Sequence, residues 1–547
     1  MSTTFGLHRA VLFNGNGVAT QFENRSLTWI ETADRVARLA GALREFGVGR
    51  GDRVAILMLN QDRYLELYLA TAWAGAVVAP LNIRWSAGEN QACLTDCRPK
   101  ILVVDAAFAK MGEAMADQLS TFALLYADDA PDARPKDAHD YEEVLAAAAP
   151  IPDVEASEAD LAGIFYTGGT TGRSKGVMLS HRNLLASARN ALSFSTEEVF
   201  RCYLHVAPMF HLANASGMYL ALLLCGSNAI IRAFSPDGVA RAIERFRVSN
   251  IVLVPTMIQM FVDQPGLDQF DLSSLKRVTY GASPISEAVL DRAIKALPHV
   301  EFFQAYGMTE LSPVATVLPW KDHIGEGRAK GRHRSGGRPA AMVEVRIVDP
   351  YGAPLPPREV GEIVARGDIV MMGYWERPEE TKRAIVDGWM HTGDAGYMDE
   401  DAYVYIVDRI KDMIVTGGEN VYSAEVENCV AQHPAVAQCA VIGIPDERWG
   451  EAVHAVVMRK PGVIVSEADI IDICRARIAH YKCPRSVKDP GRPAAAVGRG
   501  EDSQAGASQA LLGRDGAASE LDPIAVPSNR PLEIRSLTAS AAPQGAR

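Results

Sequence analysis

The chain reads Tyr166-Thr-Gly-Gly-Thr-Thr-Gly-Arg-Ser-Lys-Gly176 directly after an apolar run at Leu161–Phe165. Glycines let a backbone turn tightly and bring amide N–H groups close to phosphate oxygens. The donors and small residues of this loop are Thr167, Gly168, Gly169, Thr170, Thr171 and Lys175. The Walker spacing G-x-x-x-x-G-K cannot be aligned here. The loop alone is therefore equally compatible with a phosphate site and with a plain surface loop.

Outward from this loop, short β-branched runs alternate with amphipathic stretches. The predicted strands are Arg53–Leu59, Ile101–Asp105, Ala229–Ala233, Asn250–Pro255, Arg277–Tyr280 and Glu301–Ala305. Predicted helices lie at Asp237–Phe246 and Ser286–Leu297. This alternation predicts an α/β fold with parallel-rich sheets covered by helices.

From about Val343 the predicted strands follow one another quickly, which indicates a β-rich subdomain. They are Val343–Asp349, Glu362–Arg366, Tyr403–Ile406 and Met413–Thr416. A small α/β module comes next, with helices from Ser423 and over Glu467–His480 and strands at Gln438–Ile442 and Val453–Met458. We expect a large N-terminal domain of several subdomains over residues 1–408 and a small C-terminal domain over 409–487.

Length and composition narrow the possible functions. A chain of 547 residues is too long for one compact core. Its net charge of -12 argues against nucleic acid as a partner, because such binding rests on neutralised phosphates. Nothing in the sequence indicates an oligomeric state.

The sequence also bears on location. The first residues contain no long apolar core, so we expect no secretory signal. The stretch Leu67–Ile83 is interrupted by Gly75 and Pro80, which predicts a helix and a buried strand rather than a membrane span. Eight cysteines without a C-x-x-C pair suit a reduced cytoplasm and indicate no metal site.

The loop resembles the phosphate-binding signature Y-T-S-G-T-T-G-x-P-K-G of the adenylate-forming superfamily. That superfamily includes acyl-CoA synthetases, firefly luciferase and the adenylation domains of peptide synthetases. Here Gly168 replaces the usual serine and Ser174 the usual proline. Four further blocks match in the family's order and spacing, so the resemblance covers roughly residues 26–487. It favours the phosphate site over the surface loop.

Two blocks resemble the nucleotide side of such a site. Within Gln304-Ala-Tyr-Gly-Met-Thr-Glu310, the resemblance implies that Tyr306 stacks on adenine beside Gly307, that Thr309 bonds the α-phosphate, and that Glu310 holds Mg²⁺. Magnesium commonly takes one or two carboxylates plus substrate phosphates. The adenine-side loop is Gly281-Ala-Ser-Pro-Ile-Ser286, in which Gly281, Ala282 and Ser283 would lie against the nucleotide. Ser286 also suits the N-cap of a helix.

Two other blocks resemble the ribose contacts and the hinge. The resemblance implies that Asp394 accepts both ribose hydroxyls and that Arg409 is a second ribose contact. Lys411 falls where the family places the residue whose backbone rotates between two half-reactions, so the small domain is expected to be mobile. Without the family, this charged cluster would be interpreted as a solvated turn.

The last resemblances concern the thiol and the acyl group. Gly417 and Gly418, in Thr416-Gly-Gly-Glu-Asn-Val-Tyr422, would line a pantetheine tunnel. His211 resembles the gate between that tunnel and the acyl pocket, although a core histidine is an equally good interpretation. The neighbouring apolar residues could line the pocket or belong to the core; they are Met209, Phe210, Leu212, Met218 and Leu220.

Together the blocks are most like those of a fatty acyl-CoA synthetase. They imply an AMP-forming ligase that uses ATP and Mg²⁺ to activate a carboxylic acid, expected to be a fatty acid, and transfers it to coenzyme A. Two alternatives stay open. One is an adenylating enzyme that loads a carrier protein, and the other is an inactive nucleotide-binding relic.

The carboxyl end does not follow the family. Ala, Gly, Pro and Ser account for 32 of residues 489–547, which contain no lysine and no aromatic residue. This composition predicts a disordered tail over 488–547. The family ends with a lysine that bridges the carboxylate and the α-phosphate during adenylation, and Lys488 comes too early to be that residue.

A frameshift can explain this ending. When permissible G/C-rich codons for Gly491–Ala510 are read one base later, they can encode A-A-L-P-L-P-S-G-A-G-K-I-L-K-R-E-L-R-K, which resembles the missing ending. The codons are our choice among those that encode these residues. The hypothesis is a single-base slip near Ser486–Gly491, in the gene or its sequencing, and it implies that adenylation is impaired if the tail is real.

Overall fold

The computed structural model describes residues 1–119, 122–168, 174–196, 198–416, 419–446, 448–460, 462–463 and 465–488. Helices and strands alternate along these residues, as the sequence predicts. The α-helices are α1 (Phe5–Asn14), α2 (Trp29–Glu45), α3 (Asp62–Trp73), α4 (Ala87–Cys97), α5 (Ala109–Leu119), α6 (Tyr141–Ala147), α7 (His181–Leu192), α8 (Leu212–Leu223), α9 (Pro236–Phe246), α10 (Pro255–Val262), α11 (Glu287–Ala296), α12 (Gly325–Ala329), α13 (Pro378–Ala384), α14 (Ser423–Val430) and α15 (Glu467–Arg475).

The strands are mostly short. They are β1 (Val18–Phe22), β2 (Arg25–Thr28), β3 (Arg53–Leu57), β4 (Val77–Pro80), β5 (Ile101–Val104), β6 (Ala123–Tyr126), β7 (His139–Asp140), β8 (Leu161–Thr167), β9 (Lys175–Ser180), β10 (Cys202–His205), β11 (Ser227–Ile230), β12 (Asn250–Leu253), β13 (Arg277–Gly281), β14 (Glu301–Tyr306), β15 (Thr316–Leu318), β16 (Arg338–Pro339), β17 (Val343–Val348), β18 (Gly361–Gly367), β19 (Gly373–Tyr374), β20 (Ile385–Val386), β21 (Trp389–Met398), β22 (Val404–Arg409), β23 (Ile414–Thr416), β24 (Glu419–Val421), β25 (Val436–Asp446), β26 (Gly450–Arg459) and β27 (Ser486–Lys488).

Two large sheets contain most of the strands of the first 340 residues. The first has the order β16-β15-β14-β13-β12-β10-β11-β1-β2, and the second has the order β19-β9-β8-β4-β3-β5-β6-β7. The central pairs of both sheets are parallel. Antiparallel pairs lie toward the edges, for example β14 with β15 and β8 with β9. The predicted parallel-rich α/β fold is confirmed.

Strand β3 shows why these runs are continuously apolar. Val54 and Ile56 pack into the main hydrophobic core, which both large sheets share. Ala55 and Leu57 point the other way, into a second core cluster under α4 and α5. Because successive strand residues face opposite sides, a strand covered on both faces needs apolar side chains throughout.

The two remaining sheets match the β-rich subdomain and the small α/β module that are predicted after Val343. Strands β17, β18, β21 and β20 form an antiparallel sheet with β22 beside β21. The last sheet has the order β24-β23-β26-β25, with β27 on β26, and packs with α14 and α15 around its own core. Helix α15 ends at Arg475, earlier than the predicted His480, and a separate 3₁₀ turn spans His480–Lys482.

The predicted helix and buried strand within Leu67–Ile83 are present as α3 and β4. Among the described residues, no helix is long and apolar enough to span a membrane.

Candidate active site

The phosphate loop joins β8 to β9, which form an antiparallel hairpin. Thr167 and Lys175 face each other at its base, and Gly168 follows Thr167. The remaining predicted members of the loop lie outside the described residues; they are Gly169, Thr170 and Thr171. The described part of the loop therefore reduces to its two ends.

Both ends of the loop are attached to α4. The hydroxyl of Tyr166 donates to Asp96 Oδ2 at 2.8 Å. The hydroxyl of Ser174 lies 3.3 Å from the thiol of Cys93. These contacts connect the loop to a helix whose inner face, which includes Cys93, is buried, and they limit how far the stem of the loop can move.

Lys175 and Glu310 share one neighbour, Tyr374. The ammonium group of Lys175 lies 5.1 Å from the centroid of the Tyr374 ring and 2.5 Å from the carboxylate of Glu380 on α13. The hydroxyl of Tyr374 donates to Glu310 Oε1 at 2.9 Å. The structure thus brings together the lysine and the carboxylate that the sequence assigned to phosphate and metal.

Glu310 is buried, with 6% of its surface exposed. Burial raises the pKa of Glu310, while the Tyr374 hydrogen bond and the positive charges of Lys175 and Arg409 oppose that rise. One carboxylate oxygen of Glu310 accepts the hydrogen bond of Tyr374. No group of three or more metal-ligand side chains occurs in the described ranges. Glu310 therefore fits Mg²⁺ as a single protein carboxylate ligand. Substrate phosphates and water would supply the other ligands, as is common for Mg²⁺.

The turn that carries Glu310 is closely packed. Thr309 begins a 3₁₀ turn, Thr309–Leu311, that follows β14. A Cβ at Gly307 would lie 2.1 Å from the carbonyl oxygen of Pro313, so only glycine fits there. The backbone N–H of Met371 donates to the carbonyl of Glu310 at 3.0 Å. This packing explains the glycine without reference to adenine.

Tyr306, Asp394 and Arg409 form a second cluster beside the first. The Tyr306 hydroxyl donates to Asp394 Oδ2 at 2.7 Å, and Arg409 Nε lies 3.6 Å from Asp394 Oδ1. Asp394 and Arg409 face each other on β21 and β22. Burial raises the pKa of Asp394, and the Tyr306 hydrogen bond and Arg409 act against that rise. The predicted ribose and adenine residues therefore lie together.

The adenine-side loop begins where β13 ends. A Cβ at Gly281 would lie 2.2 Å from the carbonyl oxygen of Ala305, which excludes a side chain there. Ala282 has a φ of +67°, an uncommon conformation for a residue other than glycine, and Ser283 follows it. Ser286 caps α11 by accepting from the backbone of Val289, as predicted.

His211 lies at the N-terminus of α8, with its ring 4.1 Å from that of Phe210. Burial, with a smaller contribution from Arg84, lowers the pKa of His211 to about 4. It is therefore neutral at pH 7. The five apolar neighbours named as pocket candidates are buried core side chains in this structure; they are Met209, Phe210, Leu212, Met218 and Leu220.

The hinge and tunnel predictions are only partly described. Lys411 lies in a 3₁₀ turn between β22 and β23, Ile410–Asp412, and its side chain is outside the description. Gly417 and Gly418 are also outside the described residues, although the flanking Thr416 and Glu419 pair in a hairpin.

Sequence reasoning missed Tyr374 and Glu380. The run Ile369–Tyr374 is apolar enough to suggest an edge strand, which was the available signal for Tyr374. No local pattern distinguishes Glu380 from the other acidic residues of α13, because its partner is 205 positions away.

Comparison with known proteins identifies the family of the chain. The profile of the AMP-binding enzyme family matches residues 7–375, and that of the AMP-binding enzyme C-terminal domain matches residues 425–489. The chain is 38% identical to a feruloyl-CoA synthase of Amycolatopsis sp over 485 residues, covering 88% of this chain and 93% of that protein. It is 36% identical to the fatty acid–[acyl-carrier-protein] ligase ScoC of Streptomyces coeruleorubidus, over 84% of this chain and 87% of ScoC.

Among solved structures, ATP-bound MatB of Rhodopseudomonas palustris superimposes with a TM-score of 0.80 at 30% identity, covering 90% of this chain and 95% of MatB. CoA ligases of this kind use ATP, Mg²⁺ and coenzyme A with a small-molecule acid. The chain belongs to the AMP-binding enzyme family, the adenylate-forming superfamily that contains the acyl-CoA ligases.

Proposed function

We propose that this chain is an acid–CoA ligase that activates a carboxylic acid as an acyl-adenylate and transfers the acyl group to coenzyme A. The observation that carries the proposal is the meeting of Lys175 and Glu310 at Tyr374, next to the cluster of Tyr306, Asp394 and Arg409. A lysine, a metal-binding carboxylate and a ribose-binding acid in one place are what ATP requires.

The chemistry follows from the poor reactivity of a carboxylate. A carboxylate oxygen of the acid attacks the α-phosphorus of ATP, and the bond to pyrophosphate breaks. The thiol of coenzyme A then attacks the acyl carbon and loses its proton, and AMP leaves. No covalent bond to the protein is needed.

The protein's part is positioning and charge neutralisation. Lys175 and Thr309 would contact the phosphates, and Tyr306 and Asp394 would hold the nucleoside. Glu310 would bind Mg²⁺, whose chemistry is to neutralise charge on the phosphates. We propose that the hydroxyls of Thr167, Thr170 and Thr171 donate to phosphate oxygens. The backbone N–H groups of Gly168 and Gly169 would do the same.

Two half-reactions need two arrangements of the small domain. We propose a boundary at residues 408/409 and rotation about Lys411, after which Gly417 and Gly418 line the pantetheine path. His211 would gate the acyl pocket. Its lowered pKa supports an uncharged ring, which an apolar acyl chain tolerates.

A fatty acid is our first candidate substrate, supported by the likeness to ScoC and by the apolar surroundings of His211. An aryl acid of the ferulate type is the second, because 38% identity over 93% of a feruloyl-CoA synthase favours it. Loading of a carrier protein instead of coenzyme A is a second function, which the likeness to ScoC favours.

The carboxyl end bears on how active the chain is. Residues 489–547 lie outside the described residues. We propose that a frameshift replaced the native ending, which is supported by the match of the C-terminal family profile stopping at residue 489. Impaired adenylation, or an inactive relic in the extreme case, would follow.

Cytoplasmic location is also proposed, since none of the eight cysteines is in a disulfide.

Pyrophosphate release and thioester formation test the proposal. The purified chain is given ATP, Mg²⁺ and a panel of fatty and aryl acids, with coenzyme A or an acyl carrier protein as acceptor. We expect release that depends on the acid, and a thioester of coenzyme A. A thioester of the carrier alone would favour the second function, and ATP binding without release across the panel would favour the relic.

A further inference from the structure

Glu380 is a charged contact of the phosphate site that the adenylation chemistry does not require. Its carboxylate lies 2.5 Å from the ammonium group of Lys175, and both side chains are partly buried, with exposures of 32% and 25%. A second cation, Arg377, precedes α13 as its N-cap residue, and its Nε lies 4.0 Å from the Glu380 carboxylate. Glu380 therefore neutralises the described cation at the end of the phosphate loop.

We propose that Glu380 competes with the triphosphate of ATP for Lys175 and so weakens nucleotide binding. The inference rests on the proposed function, in which Lys175 meets the phosphates. An ammonium group that is paired with a carboxylate offers little net charge to a second anion. A carboxylate close to the phosphates also repels them directly. Solvent and salt screen this repulsion only in part, because the site is half-buried.

The geometry allows the exchange to occur locally. The lysine stem is flexible, and the Tyr374 ring lies 5.1 Å from its ammonium group as a second favourable contact. When Lys175 turns to the phosphates, Glu380 keeps Arg377 as a partner. Arg377 is itself held by Asp96 at 3.2 Å, so α13 does not have to move.

The alternative is that Glu380 orients Lys175 toward the phosphates, as carboxylates often do for catalytic lysines. Removal of the carboxylate then weakens ATP binding, whereas competition predicts that it strengthens binding. The sign of the change separates the two.

The experiment measures equilibrium binding of ATP and of adenosine to the full-length chain by calorimetry, without acid or coenzyme A. We expect Glu380→Gln to bind ATP roughly three- to tenfold more tightly, the effect of a partly exposed charge pair, with adenosine affinity unchanged. Glu379→Gln is the matched control, because Glu379 pairs with Lys382 at 3.0 Å on the exposed side of the same helix. It should leave both affinities unchanged.

In a Lys175→Met background, Glu380→Gln should have a clearly smaller effect on ATP affinity, since the competition for the ammonium group is gone. Unchanged or weaker ATP binding by Glu380→Gln, with normal thermal unfolding, overturns the inference while leaving the proposed function standing. Absence of ATP binding by the unmodified chain would instead refute the proposed function, and this inference with it.

Discussion

The ring and the hydroxyl of Tyr374 contact two different charged groups. The ring lies beside the ammonium of Lys175, whereas the hydroxyl bonds Glu310 at 2.9 Å. Groups that orient a metal-binding carboxylate change metal affinity without touching the metal. Tyr374→Phe removes the hydroxyl and keeps the ring, so it separates these two contacts.

We predict that Tyr374→Phe weakens metal binding about tenfold, within the range typical of such outer partners. Mn²⁺ binding in the presence of ATP, followed by electron paramagnetic resonance, measures this directly, and the Mg²⁺ requirement of pyrophosphate release should shift in parallel. ATP affinity without metal should change little, because the contact with Lys175 persists.

Tyr403→Phe is the matched control for that prediction. Its hydroxyl donates to the buried Asp322 at 2.9 Å, the same distance, in a different part of the chain. Both variants should lose similar stability, about 1–3 kcal/mol for a hydrogen bond to a buried charged group. Equal loss of Mn²⁺ affinity in both variants would mean that Tyr374 acts only through stability.

At the scale of elements, the short strand β19 places Tyr374. It pairs with β9, with Gly373 opposite Met178 and Tyr374 opposite Val177. The backbone N–H of Trp375 also donates to the carbonyl of Gly176 at 2.8 Å. Because β9 follows the phosphate loop directly, one edge pairing sets the distance between the loop lysine and the tyrosine that holds the carboxylate.

Gly176→Ala should disturb this pairing. A Cβ there would lie 2.6 Å from Ile164 and 3.3 Å from the Cβ of Trp375, so β19 or β8 has to shift. We expect a loss of roughly 1–3 kcal/mol in the free energy of unfolding, as for other overpacked sites, measured by urea denaturation. Gly168→Ala serves as the stability control, because a Cβ there meets nothing within 4 Å. Equal stability of the two variants would contradict the packing argument.

The elements differ in how well the sequence predicts them. The ends of strands such as Asn250–Leu253 and Arg277–Gly281 are predicted to within two residues. Apolar β-branched runs bounded by turns are typical of buried strands. The ten-residue strand β21 was missed. It contains two glycines and mostly half-buried residues, so it shows no clear alternation, and its partners β18 and β22 supply its order.

The candidate site also contains features that a local sequence pattern predicts and features that depend on distant partners. The positions of Lys175, Glu310 and Asp394 come from motifs in which adjacent residues carry the signal. Contacts across the fold, such as Lys175 with Glu380 and Tyr306 with Asp394, depend on how elements that are far apart in the sequence pack together. No local pattern contains that information.

At the scale of the whole molecule, the site draws on three sheets. Lys175 comes from the eight-stranded sheet, Glu310 follows β14 of the nine-stranded sheet, and Asp394 lies in the antiparallel sheet. Both large sheets and the antiparallel sheet also contribute to the main core. The proposed nucleotide site therefore depends on all three of these sheets, whereas the family's last lysine would have to come from the proposed small domain, whose described part ends at Lys488.

A chain with a restored ending tests whether adenylation needs the lysine that the family carries near its carboxyl end. Replacing residues 491–510 and everything after them with the ending read one base later returns a lysine to the small domain. We predict that pyrophosphate release rises roughly a hundred- to a thousandfold, the effect of one preorganised charge at the transition state. Thiolysis of a supplied acyl-adenylate should change much less, because that step does not need this lysine.

The control is the restored chain with alanine in place of the first lysine of its new ending. This version regains the closing segment of the small domain but not the charge, so its pyrophosphate release should stay low. If it is as fast as the fully restored chain, the missing element is packing rather than charge. If the unmodified chain already matches the restored one, and resequencing with peptides across residues 489–547 confirms the printed frame, then the tail is native and the frameshift hypothesis is wrong.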